Sequence, residues 1–514
     1  MNVLMAAPEV FPYAKTGGLA DAAASLAAEL ARTKHKVLVV LPFYRTVKER
    51  FPAPSAGGPF EVRMGGVAFA GMLRRRENVV FIECDRFYDR PELYGTASGD
   101  YPDNPQRFVF FSRAVFEAAR LCGFRPDIIH CHDWQAGLAP VYLKTVYGRD
   151  PFFAGARSVL TIHNMGYQGV FPAEVMRMAG LPGDLFNPEG VEFYGKMNFL
   201  KAGIIWADSL TTVSPTYANQ IQTPEHGFGL DGVLRKRAGR LRGIANGIDD
   251  CLWNPARDRH IPENYSPGND LAGKAACKKK LSSLCGFKDP ARPLVSFVGR
   301  LSYQKGADIA AAVAGEAVSE GVNLLFLGKG DERYQRELEA LGERYPGGVY
   351  VRVGFDEEFS HLVYAGSDIF LMPSRYEPCG LGQMIALRYG TPPVAADTGG
   401  ISDTVRNYLP LSGDGTGFLF PEASPGSLRQ SLWYALCVHR QAERWEGVIR
   451  NGMSVDFSWR KPAARYLEIY KEALGQVPRE KSPVPAPLRG PRPLKGSSTL
   501  KDTGSLKGPG PRLD

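Results

Sequence analysis

The feature that most constrains this chain is an alternation: strand-length apolar runs take turns with helix-length amphipathic segments. The clearest predicted strands are Val3–Ala6, Val37–Leu41, Asp127–His130, Ser158–Ile162 and Leu210–Val213. A second series follows at Leu294–Val298, Leu324–Leu327, Val349–Val353, Asp368–Met372 and Pro393–Ala396. Segments such as Asp21–Arg32, Gln135–Tyr147 and Leu381–Tyr389 are predicted helices between them. Near-continuous apolar strands separated by helices predict an α/β fold with parallel sheets covered on both faces. The run Gly243-Ile244-Ala245-Asn246-Gly247-Ile248-Asp249, then Trp253-Asn254-Pro255, separates the two series with turn signals. Two Rossmann-like domains are therefore expected, at 1–245 and 246–456. A helix is expected within 457–475; whether it returns to the first domain is not settled by sequence alone.

The 514 residues can bury an ample core without staples. Eight cysteines are scattered with no C-x-x-C pair, so neither a zinc site nor a disulfide framework is suggested, and a reducing cytoplasm fits. The N-terminus has no basic region and reads as a first strand rather than a signal peptide. No apolar stretch is long enough to span a membrane. The net charge of +8 is concentrated in the tail: residues 477–514 hold eight Lys/Arg against three Asp/Glu, leaving only +3 for the rest, too little to argue for nucleic acid. With eight prolines and no aromatic residue, 476–514 is expected to be a disordered basic extension. It is either a solvated tail or a weak contact for an acidic partner or a membrane surface.

In open parallel sheets, ligands bind beyond the carboxyl ends of the strands. After the first strand, Lys15-Thr16-Gly17-Gly18-Leu19 opens a helix, a geometry that suits a phosphate; a glycine turn with a surface lysine would look the same. His132-Asp133-Trp134 follows the third predicted strand, with Asp133 either facing a cleft or capping a helix. His163 and Asn164 follow the fourth, where a histidine can reach a sugar hydroxyl or be a satisfied core residue. In the second series, Gly299-Arg300 through Lys305-Gly306 opens a helix and places two cations at its N-terminus, an anion site able to stabilise a departing diphosphate. Then Ser374-Arg375-Tyr376-Glu377-Pro378-Cys379-Gly380-Leu381-Gly382 puts a carboxylate among cations, with Cys379 to Gly382 offering backbone amides; a structural Glu377–Arg375 ion pair is the alternative. Cys379 is not expected to act as a nucleophile. Asp397-Thr398-Gly399-Gly400 is a further glycine turn at a strand end.

Together these motifs resemble bacterial and plastid glycogen/starch synthases over about residues 1–475, with further matches at Tyr167-Gln168-Gly169, Thr223-Pro224-Glu225 and Asn246-Gly247-Ile248-Asp249. The resemblance implies a GT-B fold, two Rossmann-like domains whose parallel sheets face each other across a deep cleft. It implies transfer of glucose from ADP-glucose, or from UDP-glucose, to the non-reducing end of an α-1,4-glucan with retention, and neither cofactor nor metal. Carried over, Lys15, Arg300 and Lys305 bind diphosphate, with Gly17, Gly18, Cys379, Gly380, Leu381 and Gly382 beside the donor. Glu377 and Asp133 contact glucose, His163 bonds a glucose hydroxyl, Phe355 sits where adenine stacks, and Asn246 lies on the hinge side. Two departures stand inside the motifs: Gly382 replaces a hydroxyl residue, and His226 replaces the commoner aromatic. The competing classes are a phosphorylase of the same architecture, which needs a pyridoxal-binding lysine deep in the second half where Lys305 and Lys329 read as solvent-edge residues, and an inactive glucan-binding relative.

Overall fold

The structure is a computed structural model that describes residues 1–96, 99–268 and 271–476. The expected basic tail lies outside the described residues, apart from Gln476.

The first half is built on a nine-stranded sheet. Its parallel part runs, edge to edge, Leu241–Gly243, Ser209–Thr212, Arg157–Ile162, Ile128–His132, Asn2–Ala6, Lys36–Pro42 and Val79–Glu83. The hairpin Phe60–Met64 and Val67–Arg76 extends it antiparallel. The register aligns strand ends: Ala6 sits opposite Cys131, His132 opposite Thr161, and Thr212 opposite Ile162. Everything that follows these strands therefore emerges on one rim.

The second half carries a six-stranded parallel sheet in the order Val349–Val353, Asn323–Gly328, Leu294–Val298, Ile369–Met372, Pro393–Ala396, Phe418–Phe420. In chain order this is 3-2-1-4-5-6, the doubly wound Rossmann order, with its topological switch point between Leu294–Val298 and Ile369–Met372. The first half reverses order likewise, between Asn2–Ala6 and Ile128–His132.

Each sheet has its own buried apolar core. Ile248, Trp253, Ile261 and Tyr265 already belong to the second. The last helix, Arg460–Ala473, does not: Trp459, Ala463, Tyr466, Ile469 and Tyr470 are buried in the core of the first half. The chain thus crosses between halves twice, and the crossings touch where Ile248 N–H donates to the Phe457 carbonyl at 2.8 Å.

Most predicted elements lie within a residue or two of those observed. The exception is Gln135–Tyr147, which forms not one helix but a 3-10 turn at Trp134–Ala136 and a short helix at Ala139–Lys144. Pro140 starts a helix but cannot continue one, and the chain at Gly137 is pressed so closely on Phe199 that a Cβ there would lie 2.4 Å from its carbonyl oxygen. Of the two cations expected at a helix N-terminus, Lys305 does sit there, just before the N-cap Gly306, but Arg300 does not. The helix begins at Ala307, so Arg300 lies well ahead of it rather than at its N-terminus.

Candidate active site

The two switch points face one another, and the loops leaving them supply the polar groups. From the second half, Lys305 follows the first strand of its sheet and Glu377 follows the fourth. They meet as an ion pair, Nζ to Oε2 at 2.5 Å, and the Ser374 hydroxyl donates to the same oxygen at 3.1 Å. The alternative pairing of Glu377 with Arg375 does not occur. Arg375 instead binds both oxygens of Asp308, at 2.8 and 2.6 Å. The loop around Glu377 is packed against Gly399 and Gly400: Gly400 N–H donates to the Glu377 carbonyl at 2.9 Å, and a Cβ on Gly399 would lie 1.9 Å from that oxygen. Only glycine permits this approach, which accounts for the Thr398-Gly399-Gly400 turn.

Arg300 is exposed and reaches across to the first half, where its Nη1 donates to the Tyr167 hydroxyl at 2.8 Å. A Cβ on Gly17 would stand 3.7 Å from its Nη2, and one on Gly18 would stand 3.4 Å from Leu381 Cδ1. The glycine loop of one half therefore lies directly against the cation and the Gly380–Gly382 turn of the other. Lys15 pairs with Asp21 at 2.8 Å and stands 3.9 Å from Glu357 of the second half. Its ammonium lies between the rings of Phe11 and Phe355, 5.2 and 5.7 Å from their centroids. Phe355 is otherwise exposed, a bare ring at the cleft edge.

Asp133 and His163 line the opposite rim. Asp133 does not cap a helix. Its Oδ1 accepts the His163 backbone N–H at 2.6 Å, while its own N–H donates to Thr161 O at 3.0 Å. To do both it adopts φ 56°, ψ −170°, a conformation that costs any non-glycine residue on the order of 1–3 kcal/mol and that clusters at active sites. Burial pushes its carboxyl up to about 8, so it retains a proton to donate near neutral pH. His163 Nε2 lies 2.9 Å from His132 Nδ1, and burial pushes the His163 imidazole down to about 3, keeping it neutral. Behind them His130 bridges Thr161 Oγ1 at 2.7 Å and the Tyr470 hydroxyl at 2.8 Å, so the last helix supports this rim.

Asn246 is buried beside Cys379, whose thiol burial pushes up to about 12, well away from nucleophilic use. At Gly382 a Cβ would come within 3.0 Å of Phe370 Cζ. The missing hydroxyl at this position therefore goes with a bulky aromatic packed beneath the turn.

Two supports escaped the sequence reading. Glu9 is a buried carboxylate that accepts from Thr16 N at 2.5 Å, Thr16 Oγ1 at 2.7 Å, Gly17 N at 3.3 Å and the Tyr94 hydroxyl at 2.7 Å, and so shapes the Lys15–Gly18 loop. Its place just past the first strand was the available signal. Lys274 is a buried lysine of the second half, donating toward Ala365 O, Ser367 O, Tyr389 O and Thr391 Oγ1 at 2.8–3.2 Å. An imine at that nitrogen would strip these bonds, so Lys274 is suited to tying helices together rather than to holding pyridoxal.

The halves also meet on the hinge side. There Asp403 accepts from Ser214 Oγ at 2.5 Å, Thr216 N at 3.0 Å and Thr216 Oγ1 at 2.6 Å. No helix among the described residues is long and apolar enough to cross a membrane.

Comparison with known proteins agrees with this geometry. Residues 2–236 match the starch synthase catalytic domain and residues 286–446 match glycosyl transferases group 1. The glycogen synthase of Syntrophotalea carbinolica is 47% identical over 480 residues, covering 92% of this chain and 99% of that protein. The glycogen synthase of Elusimicrobium minutum is 44% identical, covering 93% of this chain and 100% of that protein. Among solved structures, the catalytic domain of starch synthase IV from Arabidopsis thaliana, bound to ADP and acarbose, superposes with a TM-score of 0.85 at 33% identity, covering 92% of this chain and 99% of that one. With two Rossmann-like halves in the GT-B arrangement and close relatives along nearly its whole length, this chain belongs to the glycogen and starch synthase family of glycosyltransferases.

Proposed function

We propose that the chain is a glycogen synthase that transfers glucose from ADP-glucose to the non-reducing end of an α-1,4-glucan, retaining the anomeric configuration, in the cytoplasm. In this reading residues 1–245 form the acceptor side and 246–456 the nucleotide-sugar side. The observation that carries it is the meeting of Arg300, Lys305 and Glu377 at one switch point with Lys15, Gly17 and Gly18 from the other. Three cations from two halves around one cleft suit a diphosphate, whose charge grows as the bond to the sugar breaks. Glu377 holds Lys305 in place, and Asp133 and His163 offer neutral hydrogen-bonding groups to the glucose. Phe355 offers an open ring face for adenine, and all eight cysteines are free, as a reducing compartment requires.

The test is purified protein with glycogen and either ADP-glucose or UDP-glucose, alone and in competition. ADP release with preference for ADP-glucose is expected. If neither donor yields nucleoside diphosphate, the reading is wrong. Phosphate-dependent release of glucose-1-phosphate would point to the phosphorylase class instead.

A further inference from the structure

A line of aromatic side chains leads out of the cleft. It begins at Tyr376, next to Glu377, whose ring meets Phe228 edge-on with centroids 5.7 Å apart. Phe228 is held by its carbonyl, which accepts from the Gln168 amide at 3.1 Å. Beyond it Gly229 is pressed on the next two rings: a Cβ there would lie 3.0 Å from Phe193 Cζ and 3.7 Å from Tyr194 Cε2. Phe193 and Tyr194 are themselves 4.7 Å apart, and Tyr194 is 82% exposed. At Gly229 the line adjoins a groove of about 440 Å³, which is also lined by Gly232, Val233 and the Glu189–Lys236 ion pair.

Tyr194 is also out of place as a turn residue. It and Gly195, at φ 50° and 76°, are the two central residues of the hairpin that joins Glu192–Phe193 to Lys196–Asn198. Two left-handed residues make a type I′ turn, whose first position favours Asn, Asp or Gly. A tyrosine there strains the backbone, and its ring stays largely in solvent. Such an outlier is a reason to look for function. Sugar rings carry flat faces of C–H bonds that lie well on aromatic rings, with hydroxyls left for a polar rim such as Glu189 and Lys236.

We propose that Tyr376, Phe228, Phe193 and Tyr194 form a track for the acceptor α-glucan, with Tyr194 holding the chain several sugars behind the reacting end. This rests on the glucosyl transfer proposed above. The test compares Tyr194→Asn, Tyr194→Phe and the unaltered chain with glycogen and with maltotriose as acceptors, and measures binding of maltoheptaose without any donor. Tyr194→Asn supplies the residue the turn favours, so its melting temperature should equal or exceed the original. Its KM for glycogen should rise about 3- to 10-fold relative to its KM for maltotriose, the scale of one aromatic stacking contact. Its affinity for maltoheptaose should fall by a similar factor, and Tyr194→Phe should retain both properties. An unchanged ratio of the two KM values together with unchanged maltoheptaose affinity would overturn the track. Should the unaltered chain release no nucleotide from either donor, the glucosyl-transfer reading fails, while the maltoheptaose measurement still decides whether Tyr194 binds glucan.

Discussion

Lys305→Met tests the centre of the site. The Lys305 side chain is 26% exposed and that of Glu377 only 6%, so the carboxylate is the buried partner and the ammonium faces the cleft. Removing the cation acts on two things. First, it takes away the charge proposed to meet the departing diphosphate; loss of one such group costs about 10²–10³ in rate, roughly 2.7–4 kcal/mol of barrier. Second, it strands Glu377 with the Ser374 hydroxyl alone. Breaking a fully buried pair costs about 3–5 kcal/mol; because the lysine end is partly in water, about 1–3 kcal/mol of stability is expected here. The two effects separate in a double-mutant cycle with Glu377→Gln. The double variant has no uncompensated charge, so its denaturant midpoint should recover most of the loss, while kcat stays at least as low as in Lys305→Met. The assay is initial-rate ADP release at saturating glycogen, with urea unfolding in parallel. A kcat loss below tenfold in Lys305→Met, or recovery of rate in the double variant, would refute the assignment of Lys305 to the leaving group.

Glu9→Ala should loosen the Lys15–Gly18 loop by removing four hydrogen bonds, raising KM for ADP-glucose about tenfold with a smaller change in glycogen KM, as read by initial rates. Lys274→Met should lower stability by about 3 kcal/mol without changing kcat at a permissive temperature, because it leaves buried acceptors unpaired far from the chemistry; calorimetry and ADP release check the two halves of this expectation. For His130, burial depresses the folded pKa to about 3 from an ordinary 6.5, so the unfolded chain takes up a proton first as pH falls. Stability contributed by the neutral ring is therefore complete above pH 6.5 and is lost below it, by about 2 kcal/mol at pH 5. His130→Phe lacks this proton uptake, so the stability gap between it and the unaltered chain should narrow by that amount from pH 7 to pH 5; a constant gap would contradict it. X-ray scattering should show compaction on adding ADP-glucose, because in the proposed reading charges from both halves reach one diphosphate; an unchanged radius of gyration would count against this.

The parallel strands were legible because burial on both faces demands continuous apolar runs, and the residues just past them were legible because their sheet ends share a rim. Other features depend on contacts that sequence does not display. Glu9 gains its role partly from Tyr94, eighty-five positions away. Lys274 opens the basic run Lys274 to Lys280 and looks like part of a solvated face, yet it turns inward. In sequence the Asp133 side chain is equally a cap for the next helix; the choice is made by the neighbouring strand, which brings the His163 backbone nitrogen within 2.6 Å of its Oδ1. The hairpin of Phe60–Met64 and Val67–Arg76 is harder to read because its inner strand, Val67–Arg76, is largely out of the core and ends in three arginines, while the edge strand Phe60–Met64 buries only alternate residues.

The return of Arg460–Ala473 to the first half has a consequence for biosynthesis. A ribosome delivers the nine-stranded sheet early, but the side chains that finish its core, from Trp459 to Tyr470, emerge only after the whole second half has been made. Until then an apolar face of the nascent first half stays open, and His130 waits for the Tyr470 hydroxyl. The first half is thus completed last, and a polypeptide stalled before Trp459 leaves an apolar surface open to aggregation.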